Sequence, residues 1–176
     1  MEAATVDHAL RLIAGYGETV VGQVRTLALS GGLAERLARR YPERHAVRTD
    51  AALYDYAQAL KSRHLKTAPP LSKVVYAARL DVIQNALGTH TTIARVQGAQ
   101  LKAKREIRIA ALFREAPPEF LKMIVVHELA HLREREHDRA FYALCCHMEP
   151  DYHQFEFDLR LHLIALALDK PAARAD

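Results

Sequence analysis

Residues 117–148 read PPEFLKMIVVHELAHLREREHDRAFYALCCHM, and this stretch decides the fold. The two prolines at its start suit the first turn of a helix. The apolar residues from Phe120 to Leu132 are too continuous for a helix with one wet face, so we expect burial on most sides. A charged break at residues 133–138 separates this helix from a second, shorter one at residues 139–148. The stretch therefore predicts a buried helix, a polar turn and a return helix.

The buried helix carries the pattern H-E-x-x-H at His127, Glu128 and His131. Residues four apart lie on one face of a helix, so the two imidazoles can bind a single Zn²⁺. The carboxylate of Glu128 then lies beside the first ligand, where it can reach a water on the metal. Polar groups in an apolar helix are costly without a partner, and this favours a metal site over a solvated polar face.

A third ligand is expected at His137, ten residues after His127. The helix must then end near Arg133–Glu136, so that the chain can turn back to the metal. His153 and His90 are the other candidate ligands, although His153 lies in the polar start of a later helix and His90 in a loop-like stretch. The other five histidines have no partner at ligand spacing and are interpreted as structural.

The rest of the chain predicts an α+β fold. The first 45 residues show helical spacing broken by glycines, and Pro42 ends their last helix. We expect a further helix from Asp50, as its N-cap, to Lys66. Short stretches rich in β-branched residues predict a small sheet of antiparallel type, and a last helix follows at residues 152–168. The strand candidates are residues 74–78, 91–96 and 106–113.

Composition argues against several classes of protein. The 176 residues carry a net charge of +4, with 25 basic and 21 acidic side chains interspersed, so nucleic-acid binding is not indicated. The basic stretch at residues 101–105 also lacks interleaved aromatics. No apolar run is long enough to cross a membrane, and the N-terminal residues lack the basic start of a secretory signal. Cys145 and Cys146 are adjacent and badly placed to pair, so a reducing, cytoplasmic location is expected.

Residues 125–152, VVHELAHLREREHDRAFYALCCHMEPDY, resemble the YgjP-like metallopeptidase family, within the wider group of H-E-x-x-H zinc peptidases. The likeness lies in H-E-L-x-H-L, the third histidine ten residues on, Phe141, and a Pro-x-Tyr that ends at Tyr152. It spans about residues 73–165. The metzincin pattern fits less well, because it needs a glycine where this chain has Glu134. SprT-like proteases place their third ligand further along the chain.

The resemblance implies a domain plan and a chemistry. Residues 1–48 would form an N-terminal helical extension, residues 49–169 a zincin-like metallopeptidase domain, and residues 170–176 a disordered tail. Three neutral imidazoles would hold Zn²⁺, with water in the fourth position. Glu128 would take the proton of that water as general base and return it to the leaving amine. The strand at residues 106–111 would align an extended peptide or protein substrate by main-chain pairing.

Two other functions remain open. Some proteins of the resembling family are described as nucleotide pyrophosphatases, and such an activity needs basic groups near the metal to bind phosphates. Arg105, Arg108 and Arg133 are the candidates for that role. The other alternative is a non-catalytic adaptor with a structural zinc, in which His153 or a cysteine would close the site as a fourth ligand.

Four further residues lie close to the motif in sequence. Tyr152 and Tyr142 could each donate a hydrogen bond to a developing oxyanion, but packing is the favoured interpretation for both. Cys145 and Cys146 are interpreted as small apolar residues on a helix, since the histidines already supply three ligands.

Overall fold

The computed structural model describes residues 3–77 and 106–169. These ranges contain seven α-helices, two short 3-10 helices and two strands, which is an α+β fold as expected. The α-helices are α1 (Ala3–Leu10), α2 (Glu18–Leu29), α3 (Gly32–Arg40), α4 (Asp50–His64), α5 (Pro118–Ala130), α6 (Arg139–Met148) and α7 (Tyr152–Asp169). The strands are β1 (Lys73–Ala77) and β2 (Glu106–Ala110), and the 3-10 helices span Arg11–Ile13 and Ala111–Arg114.

The two strands pair in parallel, in a register that runs from Lys73 opposite Glu106 to Ala77 opposite Ala110. The antiparallel type that we predicted is wrong for this pair. Antiparallel neighbours can be joined by a tight hairpin, whereas parallel neighbours need a long crossover, and the stretch between β1 and β2 is long enough to supply one. The predicted strand at 91–96 and the ambiguous residues 79–87 lie outside the described residues.

The breaks between the N-terminal helices lie at or near the glycines of this region, as the sequence predicts. Gly31, immediately before α3, has a φ of 74°, a left-handed conformation that favours glycine. At α4 the expected cap is wrong, because the hydroxyl of Thr49, and not Asp50, accepts a hydrogen bond from the Ala52 amide. The carboxylate of Asp50 instead accepts the Tyr76 amide at 2.9 Å, which ties α4 to β1.

A continuous hydrophobic core joins the N-terminal helices, the sheet and the C-terminal helices. Helix α5 lies at its centre and is buried on most sides, as its sequence predicted. Helix α7 packs against α1, α3 and α5, and Arg160 of α7 donates a hydrogen bond to the carbonyl of Leu12 at 3.1 Å. Each large apolar side chain in such a core contributes about 1.5–3 kcal/mol to stability. Helices α5 and α7 are therefore held rigidly, and both bear residues of the site described next.

None of the described helices is both long enough and apolar enough to cross a membrane.

Candidate metal centre

Helix α5 positions the first part of the site. It begins at Pro118, close to the expected start, and ends at Ala130, earlier than the expected Arg133–Glu136. The last turn tightens, because the amides of Leu132 and Arg133 bond to carbonyls only three residues back, at 3.1 and 3.0 Å. His127 and His131 therefore lie one turn apart at the very end of the helix. The chain is free to change direction just after them.

The turn after α5 brings His137 back to the first two histidines. Asp138 caps α6 by accepting a hydrogen bond from the Phe141 amide at 3.0 Å, and this starts the return helix at Arg139, as predicted. One ring nitrogen from each of His127, His131 and His137 lies within 4.8 Å of the others. Among residues 3–77 and 106–169, this is the one group of three or more possible ligands so arranged. We call these three residues the histidine triad.

The geometry of the histidine triad fits a metal ion. Nε2 of His127 and Nε2 of His137 lie 3.1 Å apart. A tetrahedral zinc site with bonds of about 2.0–2.1 Å needs ligand atoms about 3.3 Å apart, which is close to the observed separation. Nε2 of His131 is buried and makes no hydrogen bond within the described part of the chain. An orphaned buried nitrogen is costly in an apolar helix, and a cation between the rings would remove that cost.

Burial keeps the ligand rings in the form that binds metals. Burial, with smaller contributions from the neighbouring His131 and His137, lowers the pKa of His127 to about 3. Burial also lowers the pKa of His131. Both rings are therefore neutral at physiological pH and present a free lone pair, as metal ligation requires.

Glu128 is the second unusual feature of the site. Its side chain is 1% exposed, and neither carboxylate oxygen has a hydrogen-bond partner among the described residues. Burial alone raises its pKa to about 8 in the absence of a metal. A buried acidic side chain without a hydrogen-bond partner costs stability, and such groups are typical of functional sites.

Two buried aromatic residues contact the rings of the histidine triad. Phe141 is fully buried, and its ring centre lies 4.9, 4.6 and 4.7 Å from those of His127, His131 and His137. The hydroxyl of Tyr152 lies 2.7 Å from Nδ1 of His127. The sequence predicts packing for Tyr152 and does not indicate this contact with His127. The Pro-x-Tyr pattern at residues 150–152 was the one signal in the sequence that could have pointed to it.

The remaining candidates lie apart from the histidine triad. His153 is largely exposed and faces Glu156, with its Nδ1 3.8 Å from that carboxylate. Cys145 is buried in the core, Arg108 pairs with Glu106 at 3.0 Å, and Arg133 is exposed. His90, Arg105 and the basic stretch 101–105 lie outside the described residues.

Comparison with known proteins gives two matches. Residues 37–162 match the model of a family described as YgjP-like, metallopeptidase domain. The chain is also 57% identical over 159 residues to a protein of Escherichia coli (strain K12) named UTP pyrophosphatase, an alignment that covers 90% of this chain and 95% of that protein. No solved structure matches the chain significantly.

Proposed function

The chain belongs to the YgjP-like metallopeptidase family, and we propose that it hydrolyses a phosphoanhydride bond of UTP or a similar nucleoside triphosphate with the help of a bound zinc ion. The family and the relative together show that the chain is a hydrolase. The non-catalytic adaptor considered from the sequence has no support in either.

The observation that carries the nucleotide proposal is the relative named UTP pyrophosphatase, at 57% identity over 95% of its length. The chemistry of the donor set agrees with it. Three neutral imidazoles leave the charge of a divalent cation uncompensated, and Glu128 offsets only half of it. A site with net positive charge can attract and hold a polyphosphate.

We assign roles to the four central residues as follows. His127, His131 and His137 would hold the metal through their ring nitrogens. A divalent cation in this position supplies Lewis acidity that acidifies water, neutralises charge on phosphoryl oxygens and favours the ionised form of Glu128. Glu128 takes the proton of the attacking water as that water bonds to the α-phosphorus. The bond from this phosphorus to the bridging oxygen breaks, diphosphate leaves, and Glu128 can return its proton to it.

Peptide hydrolysis is the second candidate function. It was the leading expectation from the sequence, and the name of the matching family favours it. A carboxylate beside two histidines on one helix is also the arrangement that zinc peptidases use. The same Glu128 would then return its proton to a leaving amine instead of a diphosphate.

A substrate panel distinguishes the two functions. Zinc-loaded protein would be incubated with UTP, CTP, ATP and GTP, and separately with casein and a peptide library, with products followed by chromatography. We expect UMP and diphosphate from UTP and no new peptides. Cleavage of casein without nucleotide hydrolysis would contradict the nucleotide proposal and favour the peptidase.

The role of Glu128 is tested by Glu128→Gln. This variant keeps the shape of the side chain but cannot accept a proton, so we expect kcat to fall by about 10²–10⁴-fold with unchanged zinc content. Glu18→Gln is the matched control, since Glu18 is an exposed carboxylate in the first turn of α2. Full activity in Glu128→Gln would exclude Glu128 as the general base.

A further inference from the structure

His127 differs from an ordinary buried histidine because both ring nitrogens have defined neighbours. Nε2 faces the other two histidines of the triad and lies 3.1 Å from Nε2 of His137. Nδ1 faces the opposite way, 2.7 Å from the hydroxyl of Tyr152, and that side chain is 0% exposed. A ring with two distinct nitrogen environments has a preferred tautomer, because only one nitrogen of a neutral imidazole carries a proton.

The thiol of Cys145 on α6 lies near the hydroxyl of Tyr152, close enough to interact with it. A tyrosine hydroxyl and a cysteine thiol both carry a proton at neutral pH. The hydroxyl has one proton to donate, and Cys145 Sγ can accept it, so the oxygen lone pairs remain available to His127 Nδ1–H.

The second histidine of the motif shows the same arrangement with a different partner. Nδ1 of His131 lies 3.0 Å from the main-chain carbonyl of Glu134, which can only accept a hydrogen bond. Nδ1 of His131 must therefore be the protonated nitrogen in that bond, and Nε2 presents the lone pair. At His127 the corresponding acceptor is a side chain and not a carbonyl. It can be removed by a substitution that deletes one oxygen atom.

We propose that Tyr152 is a positioning residue for the metal centre. Its hydroxyl accepts the Nδ1–H of His127 and donates to Cys145, which fixes the tautomer and angle of the ring so that the Nε2 lone pair points at the metal position. Ligating histidines generally depend on such an outer partner, and its loss costs about 10–100-fold in metal affinity. This inference rests on the metal site of the proposed function but not on its substrate.

The first test measures metal affinity, not turnover. Zinc dissociation constants would be obtained by chelator competition for the wild type, Tyr152→Phe and Tyr76→Phe. Tyr76 is a matched control, since it is also buried and its hydroxyl donates a 2.7 Å hydrogen bond, but to the Val47 carbonyl on the α4 side of the sheet. We expect about 10–100-fold weaker binding for Tyr152→Phe and no more than a twofold change for Tyr76→Phe. Equal affinities for Tyr152→Phe and the wild type would overturn the proposal.

A spectroscopic test can be made on the wild type, so its main result does not require any variant to fold. Long-range ¹H–¹⁵N spectra of the zinc-loaded wild type should show His127 protonated at Nδ1, with a proton that exchanges slowly with solvent. In Tyr152→Phe this proton should exchange faster. A His127 ring protonated at Nε2 in the wild type would overturn the proposal. Neither result depends on whether the enzyme cleaves nucleotides or peptides, so the two proposals fail separately.

Discussion

Helix α7 contributes residues to two buried polar clusters that differ in how completely their polar groups are paired. At its N-terminal end, Tyr152 lies behind the histidine triad, where Nε2 of His131 and both oxygens of Glu128 have no partner in the described residues. Six residues later, one oxygen of Asp158 is surrounded by donors. It accepts hydrogen bonds from the Tyr41 hydroxyl and from Gln154 at 3.0 Å, and the guanidinium of Arg40 lies 3.3 Å away.

The difference separates a functional cluster from a structural one. An unpaired buried polar group costs about 1–3 kcal/mol, so a fold retains several of them together only where something from outside completes them. The cluster around Asp158 is already complete and joins α3 to α7. Substitutions at the histidine triad should therefore affect metal binding and hydrolysis, whereas substitutions around Asp158 should affect the free energy of unfolding.

The largest expected effect follows removal of the metal. Dialysis against a strong chelator should lower hydrolysis by at least about 100-fold, because the cation supplies several kcal/mol of transition-state stabilisation. Zinc should restore the activity and raise the melting temperature, since it binds only the folded state. Circular dichroism before and after dialysis controls for unfolding. Undiminished activity in excess chelator would mean that the histidine triad is not a metal site.

The cluster around Asp158 should show the opposite behaviour. Asp158→Ala leaves Tyr41, Gln154 and Arg40 without their acceptor, so we expect the free energy of unfolding to fall by about 3 kcal/mol in urea titrations. Zinc affinity measured on the folded variant should stay within about threefold of the wild type. Glu128→Gln is the corresponding control at the histidine triad. It removes an unpaired carboxyl group, so the metal-free variant should be at least as stable as the metal-free wild type. Loss of zinc binding in folded Asp158→Ala would contradict the conclusion that the cluster around Asp158 is purely structural.

The smallest effect is expected at a third polar residue of α7, His162. Its ring lies against Phe120, at 5.5 Å between ring centres, beside a cavity of about 300 Å³ lined partly by Leu37 and Tyr41. Burial lowers its pKa, so the unfolded chain binds a proton more readily than the folded protein does. Stability should therefore fall as the pH drops below about 6.5, and rise again as the pH returns.

His162→Gln tests this behaviour because glutamine does not titrate. The variant should lose less stability than the wild type between pH 7 and pH 5, by less than about 1 kcal/mol, since the ring is partly solvated. Urea titrations at both pH values measure the difference. Identical pH dependence in the two proteins would show that His162 does not contribute to acid sensitivity.

The sequence was sufficient to predict the parts of the molecule that depend on local pattern. The H-E-x-x-H spacing on an apolar helix and the charged break after it predict that His137 returns to His127, and these side chains do lie together in the structure. Helix α6 begins at Arg139, as the pattern after the charged break predicts, and the structure shows that the side chain of Asp138 caps it. These features are set by residues a few positions apart.

The features that the sequence did not reveal are of two kinds. Some depend on contacts between residues far apart in the chain, and one depends on which of two neighbouring residues caps a helix. The bond between His127 and Tyr152 joins residues 25 apart, and that between Tyr41 and Asp158 joins residues 117 apart, so no local pattern indicates either. The direction of the strand pair depends on the path of the chain between β1 and β2. At α4, Thr49 and Asp50 are both good capping residues, and the pairing of Asp50 with the Tyr76 amide leaves the cap to Thr49.

The hydrogen bond from Arg160 to the Leu12 carbonyl has a consequence for the order in which the protein is made. Helix α7 is the last described element to leave the ribosome, yet it packs against α1 and the 3-10 helix Arg11–Ile13, which contain buried apolar side chains. Until α7 emerges, those side chains lack part of their cover and are exposed to aggregation or to chaperones. The described N-terminal helices therefore complete their packing only after α7 has been synthesised, even though they precede it by more than a hundred residues in the chain.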